Sequence, residues 1–173
     1  MIEVGQKDAP LLLTVFTNES CNYCNEFMRD MLPRLKSDFM TSGKLRVQLV
    51  IVPLKKYPNS TLEASALLCA TVLEKGQLME EAMRNATPLD DPRGKLRDRK
   101  SLLALAKKIE LSTKQFTACL DAKETKNLLA EQQDFINQHD VTLIPAFLIG
   151  DEKRVGLPSY ADLRGWIRER LTQ

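Results

Sequence analysis

Leu11-Leu12-Leu13-Thr14-Val15-Phe16-Thr17-Asn18-Glu19-Ser20-Cys21-Asn22-Tyr23-Cys24 is the stretch from which the rest of the chain is read. Its first seven residues are mostly apolar and rich in strand formers, which predicts a buried strand, and Asn18-Glu19-Ser20 marks where that strand leaves the core. From Cys21 to about Met40 the apolar residues Phe27, Met28, Met31, Leu32, Leu35 and Phe39 recur every three or four positions, which predicts an amphipathic helix kinked at Pro33. The Cys-x-x-Cys therefore falls at a strand-to-helix junction. The first N–H groups of a helix lack intrahelical partners and its dipole presents partial positive charge there, so a thiolate at Cys21 is stabilised and its pKa falls. Cys24, one helical turn behind, is the buried resolving thiol of such a pair. Attack by Cys21 on a substrate disulfide gives a mixed disulfide that Cys24 releases, and the reverse sequence oxidises a substrate dithiol.

Working outward, Leu45-Arg46-Val47-Gln48-Leu49-Val50-Ile51-Val52 alternates and then turns fully apolar, as a central strand does. Strand, helix and strand in this order predict a βαβ unit with a parallel pair. From Pro58 to His139 periods of three and four dominate, so this middle is helical. The turn-rich stretch Thr87 to Gly94 divides it. Strand character returns at Pro145-Ala146-Phe147-Leu148-Ile149, with Gly150-Asp151-Glu152 turning into Lys153 to Gly156, and Ser159 caps a last amphipathic helix reaching Leu171. The fold class is α/β, a βαβ…ββα pattern interrupted by a helical insertion. Residues 1–57 and 126–173 form the α/β part and 58–125 the insertion.

The 173 residues suffice for one domain with an insertion, and 43% hydrophobic with 28% charged residues is the composition of an ordinary globular protein. No apolar stretch approaches the roughly 20 residues that span a bilayer. A net charge of +2 does not suggest a nucleic-acid partner, and the basic stretch Arg93 to Lys108 is interrupted by Asp98 and lacks aromatics, so it reads as a solvated helix face. The single histidine, His139, excludes sites built from several imidazoles and is expected to cap a helix end. No cofactor is called for. A zinc site on Cys21 and Cys24 would need two more ligands, and Cys69, Cys119 and His139 offer no second close pair. No secretory leader opens the chain, so the compartment is periplasmic or otherwise extracytoplasmic if a leader has been removed, and cytoplasmic if not.

Two further features have two readings each. Proline between apolar residues at the start of a strand is either trans at a strand edge or cis, and the Cys-x-x-Cys favours cis for Pro145. Cys69 and Cys119 lie on the apolar faces of their helices, either as buried thiols or as a structural disulfide closing a loop of about 50 residues.

The chain resembles the DsbA-like thioredoxin-fold proteins. The resemblance rests on Gly5-Gln6-Lys7-Asp8-Ala9-Pro10 before the first strand, on Cys21-Asn22-Tyr23-Cys24 and the Pro33 kink, and on Pro53-Leu54. It continues through Phe116 to Leu120, Val141 to Ile149 and Gly156 to Leu163, covering nearly the whole chain. It implies a thioredoxin fold with a helical insertion, a cis Pro145 facing the redox pair, and exported thiol-disulfide oxidoreductase activity. It implies that Ile144, Pro145, Asn22 and Tyr23 contact substrate, and that the partners are extended or unfolded polypeptides together with a protein that recycles the pair. Two departures bear on oxidising power. Tyr23 replaces the histidine that the best-known oxidants carry beside the resolving cysteine, and Thr14 stands for the acidic residue some members place in the first strand. Ile144, apolar and branched, is closer to the valine of the oxidases than to the threonine of the isomerases, which favours oxidation. The alternatives are a reductase or isomerase, or a non-catalytic binding module with an inert cysteine pair.

Overall fold

The computed structural model describes residues 1–86 and 98–172. One sheet has the strand order β1-β3-β2-β4-β5, made of β1 (Ile2–Val4), β2 (Leu11–Thr17), β3 (Leu45–Ile51), β4 (Ala146–Ile149) and β5 (Glu152–Val155). β2 and β3 are parallel, with Leu11 opposite Leu45 and Thr17 opposite Ile51, as the βαβ reading requires. β1, β4 and β5 each run antiparallel to their neighbour.

The parallel pair needs a crossover, and helix α1 supplies it through four consecutive segments, Asn22–Glu26, Phe27–Met31, Leu32–Leu35 and Lys36–Met40. The second and fourth of these widen into π turns. Pro33 accounts for the first, because it lacks an N–H and its ring crowds the preceding turn. The Leu32 N–H reaches back five residues to the Phe27 carbonyl, so the predicted kink takes the form of a π turn.

Helices α2 (Ser60–Val72), α3 (Gly76–Ala86), α4 (Arg99–Lys108) and α5 (Thr113–Asp121) follow β3, and α6 (Lys123–Gln138) and α7 (Tyr160–Leu171) complete the fold. The turn-rich stretch Thr87 to Gly94 and the first part of the basic stretch lie outside the described residues. Among the described residues no helix is long and apolar enough to cross a membrane.

The two-residue period of β2 decides which face each helix covers. Leu13 and Val15 face Phe27 and Leu35 of α1 and Leu163, Trp166 and Ile167 of α7, in a core that extends into the insertion through Leu67, Met79, Met83, Leu102 and Phe116. Phe16 faces the other way, toward Ile136 of α6. Met79 and Met83 are fully buried members of this core. His139 is the C-cap of α6, its ring nitrogen Nδ1 lying 2.9 Å from the Phe135 carbonyl.

Sequence patterning did not reveal β1. It has three residues, so it carries too little periodicity to register. Gly5, which follows it, has φ +109°, and a Cβ there would meet the Leu45 carbonyl oxygen at 3.1 Å. Only glycine lets the chain pass this close to β3 on its way to β2.

Candidate active site

β2 ends at Thr17, and a turn closed by the Cys21 N–H on the Asn18 carbonyl, 3.0 Å, delivers Cys21 to the start of α1. Cys21 is the N-cap, with extended φ −106° and ψ 114°. Its Sγ takes the place of a capping oxygen and accepts the N–H of Cys24 at 3.3 Å. Cys21 and Cys24 are joined as a disulfide with Cα atoms 5.2 Å apart. Cys21 is half-buried, whereas Cys24 is 1% exposed. Of the pair, Cys21 keeps partial exposure and Cys24 is withdrawn.

The turn before β4 brings the second half of the site. The Ile144–Pro145 peptide bond is cis, and the Ile144 carbonyl oxygen lies 3.8 Å from Cys21 Sγ. Pro145 immediately precedes β4, which begins at Ala146 because proline has no N–H to give the ladder. The Pro145 carbonyl is occupied by the Gly156 N–H at 2.8 Å. Asn22 is exposed beside the pair, and Tyr23 is 65% exposed. The predicted residues Cys21, Asn22, Tyr23, Cys24, Ile144 and Pro145 therefore gather at one end of the sheet. Leu143, 67% exposed, joins them and was not foreseen, since only the fold shows that its apolar side chain lacks cover.

Cys69 and Cys119 form a second disulfide, Cα atoms 5.8 Å apart, tying α2 to α5. Thr125 packs against both sulfurs, its Oγ1 3.6 Å from Cys69 Sγ and 3.5 Å from Cys119 Sγ, and donates to the Cys119 carbonyl at 2.6 Å.

Thr14 cannot stand in for an acid near Cys24, because its side chain points to the opposite face of the sheet, toward Gln48. Val15 is the β2 residue turned toward α1. Glu26 is exposed, while Glu19 is buried, its backbone carbonyl accepting the Asn25 amide at 2.8 Å. Glu19 in turn interacts with an acid of the insertion, Glu80. Glu80 of α3 lines a cavity of about 280 Å³ with Met28, Leu32 and Pro33 of α1. Burial pushes its carboxyl up to about 7, against the opposing pull of Arg84 at 3.2 Å, and the Glu19 charge adds to the rise. Desolvation outweighs the ion pair here.

The profile of the thioredoxin family matches residues 1–169, and the chain belongs to that family. Within 88 residues it is 31% identical to the thiol:disulfide interchange protein DsbG of Escherichia coli (strain K12), an overlap that takes in 51% of this chain and 33% of that protein. The chain thus spans about a third of the length of this curated relative. Among solved structures it resembles oxidised BdbD from Bacillus subtilis, with a TM-score of 0.88 and 19% identity over 99% of this chain and 92% of that one. It also resembles Chlamydia trachomatis DsbA, with a TM-score of 0.80 and 22% identity over 97% and 90% of the two chains. At these identities the structures establish a shared fold, the thioredoxin fold with a helical insertion.

Proposed function

We propose that the chain is a thiol-disulfide oxidoreductase that exchanges disulfides with protein substrates and acts chiefly as an oxidase. The observation that carries this reading is the asymmetry of the pair: Cys21 is partly exposed, its Sγ receives the Cys24 N–H and lies beside the Ile144 carbonyl, while Cys24 is buried. A substrate thiolate attacks Cys21, forming a mixed disulfide and expelling Cys24 as a thiolate that takes up a proton. A second substrate thiolate then attacks the substrate sulfur of the mixed disulfide. This expels Cys21 as a thiolate and releases the substrate with a disulfide, so the pair keeps two electrons and the proton on Cys24. Helix-end N–H groups that favour the Cys21 thiolate stabilise the reduced form, which is what makes a disulfide oxidising. Ile144 and Pro145 hold the substrate backbone next to Cys21, and Asn22 and Tyr23 line its path. Continued turnover requires a second redox protein that withdraws the electrons.

The Cys69–Cys119 disulfide supports an oxidising, extracytoplasmic compartment such as the periplasm, because cytosolic thiols are kept reduced. Equilibration with reduced and oxidised glutathione tests the direction of electron flow. A reduction potential well above that of thioredoxin, roughly −270 mV, is expected, and a value near it would replace the oxidase reading with a reductase. The likeness to an interchange protein favours a second reading, disulfide shuffling, which scrambled-substrate refolding separates from net oxidation.

A further inference from the structure

Asn18, three residues before Cys21, is 1% exposed and uses its side chain in three directions. The amide nitrogen donates to the Val52 carbonyl just past β3 at 2.9 Å and to the hydroxyl of Ser60, the first residue of α2, at 3.1 Å. The amide oxygen accepts the Ser20 N–H at 2.8 Å. The Ser60 hydroxyl, itself buried, also accepts the Leu54 N–H at 2.8 Å. From the other side the Asn25 amide holds the Glu19 carbonyl. The turn from Asn18 to Cys21 is therefore fastened to β3, to the insertion and to α1.

What this turn sets is the backbone of Cys21. In its N-cap conformation Sγ meets the Cys24 N–H, and that contact gains strength when the sulfur is a thiolate, since charge-assisted hydrogen bonds are roughly twice as strong as neutral ones. A turn released from Val52 and Ser60 samples other conformations, and each of them gives up part of that stabilisation. We infer that Asn18 is a positioning residue for the Cys21 thiolate, and that through Ser60 it makes the stability of that thiolate depend on how the helical insertion is seated. This rests on Cys21 being the exchanging sulfur.

The test titrates reduced protein by ultraviolet thiolate absorbance and equilibrates it with glutathione. Asn18→Ala is expected to raise the Cys21 pKa by about one unit and to shift the equilibrium about tenfold toward the disulfide. Ser60→Ala should move both readouts the same way, about threefold, and Ser60→Thr, which keeps the hydroxyl, should restore them. The double variant should do no more than Asn18→Ala alone, because the two residues form one clamp. Should Asn18→Ala not fold, the Ser60 pair carries the test. Folded variants with unchanged titration and equilibrium, or purely additive effects, would overturn the inference. Wild-type protein that titrates normally but exchanges nothing with glutathione would instead overturn the proposed function.

Discussion

Cys21 Sγ lies 3.8 Å from the carbonyl oxygen of Ile144, a residue 123 positions further along the chain. The contact places that sulfur against the backbone of the turn that opens β4, so in the proposed exchange a polypeptide bound covalently at Cys21 would lie along Ile144 and Pro145. That relationship turns a reactive pair into a site with a direction.

If Cys24 resolves the mixed disulfide, Cys24→Ala should trap substrates on Cys21. Non-reducing electrophoresis of cell extracts should show high-mass adducts that collapse with dithiothreitol and are absent from Cys21→Ser. Exchange by Cys21→Ser at the wild-type rate would refute the assignment.

Tyr23, within the Cys-x-x-Cys, and Leu143, two residues before Pro145, both expose large apolar side chains. Leu143→Ser should leave the melting temperature nearly unchanged, as surface substitutions do. Covering one such side chain with substrate is worth about 1.5 kcal/mol, so kcat/KM for a peptide with apolar residues beside its cysteine should fall about tenfold. The rate with glutathione should stay the same.

Burial holds Glu80 protonated in the folded chain up to about 7, whereas in the unfolded chain it ionises near its ordinary 4.5. The folded state therefore keeps the extra proton between these values, and the stability it brings is present below pH 4.5 and lost as pH rises through 7. The groups facing Glu80 are Arg84 and Glu81 from α3, Glu19 from the turn before Cys21 and Lys36 from α1. Denaturant titrations should show Glu80 contributing a loss of about 3 kcal/mol across this window, and Glu80→Gln should remove most of it.

Glu152 behaves oppositely. Hydrogen bonds from Arg154, Arg170 and Trp166 hold its carboxyl down to about 2, and they join β5 to α7. This contribution is present above pH 4.5 and disappears as pH falls through 2. Glu152→Gln should flatten the acid limb of the melting curve and leave neutral-pH exchange activity intact.

Removing the Cys69–Cys119 bridge by the double change to alanine should lower unfolding stability by about 4 kcal/mol, from the entropy of a loop with sequence separation 50. Equilibrium denaturation measures the loss. The Cys21 titration should be unaffected.

Local patterning carried much of the architecture. The apolar run Leu11 to Thr17 and the helical spacing from Phe27 to Phe39 predicted β2, α1 and their junction, because burial imposes periods of two and 3.6 on any chain that folds this way. Pro33 predicted a distortion but not its π geometry, which depends on how the backbone re-pairs around a missing donor. β1 was too short to show a period, and Pro145 fell just outside β4. Thr14 and Val15 show the limit most clearly, since adjacent residues on a strand point to opposite faces and only the packed helices reveal which face meets Cys24.

The sequence by itself determined that a Cys-x-x-Cys sits where a strand passes into a helix, with a proline opening a later strand, since these are relations among near neighbours. Tertiary structure alone decided that Ile144 meets Cys21, that Cys69 bonds Cys119, and that Asn18 is anchored by Val52 and Ser60. Hydrogen bonds and disulfides depend on distances of a few ångströms between groups far apart in the chain, and those distances exist only after the sheet and the insertion have packed.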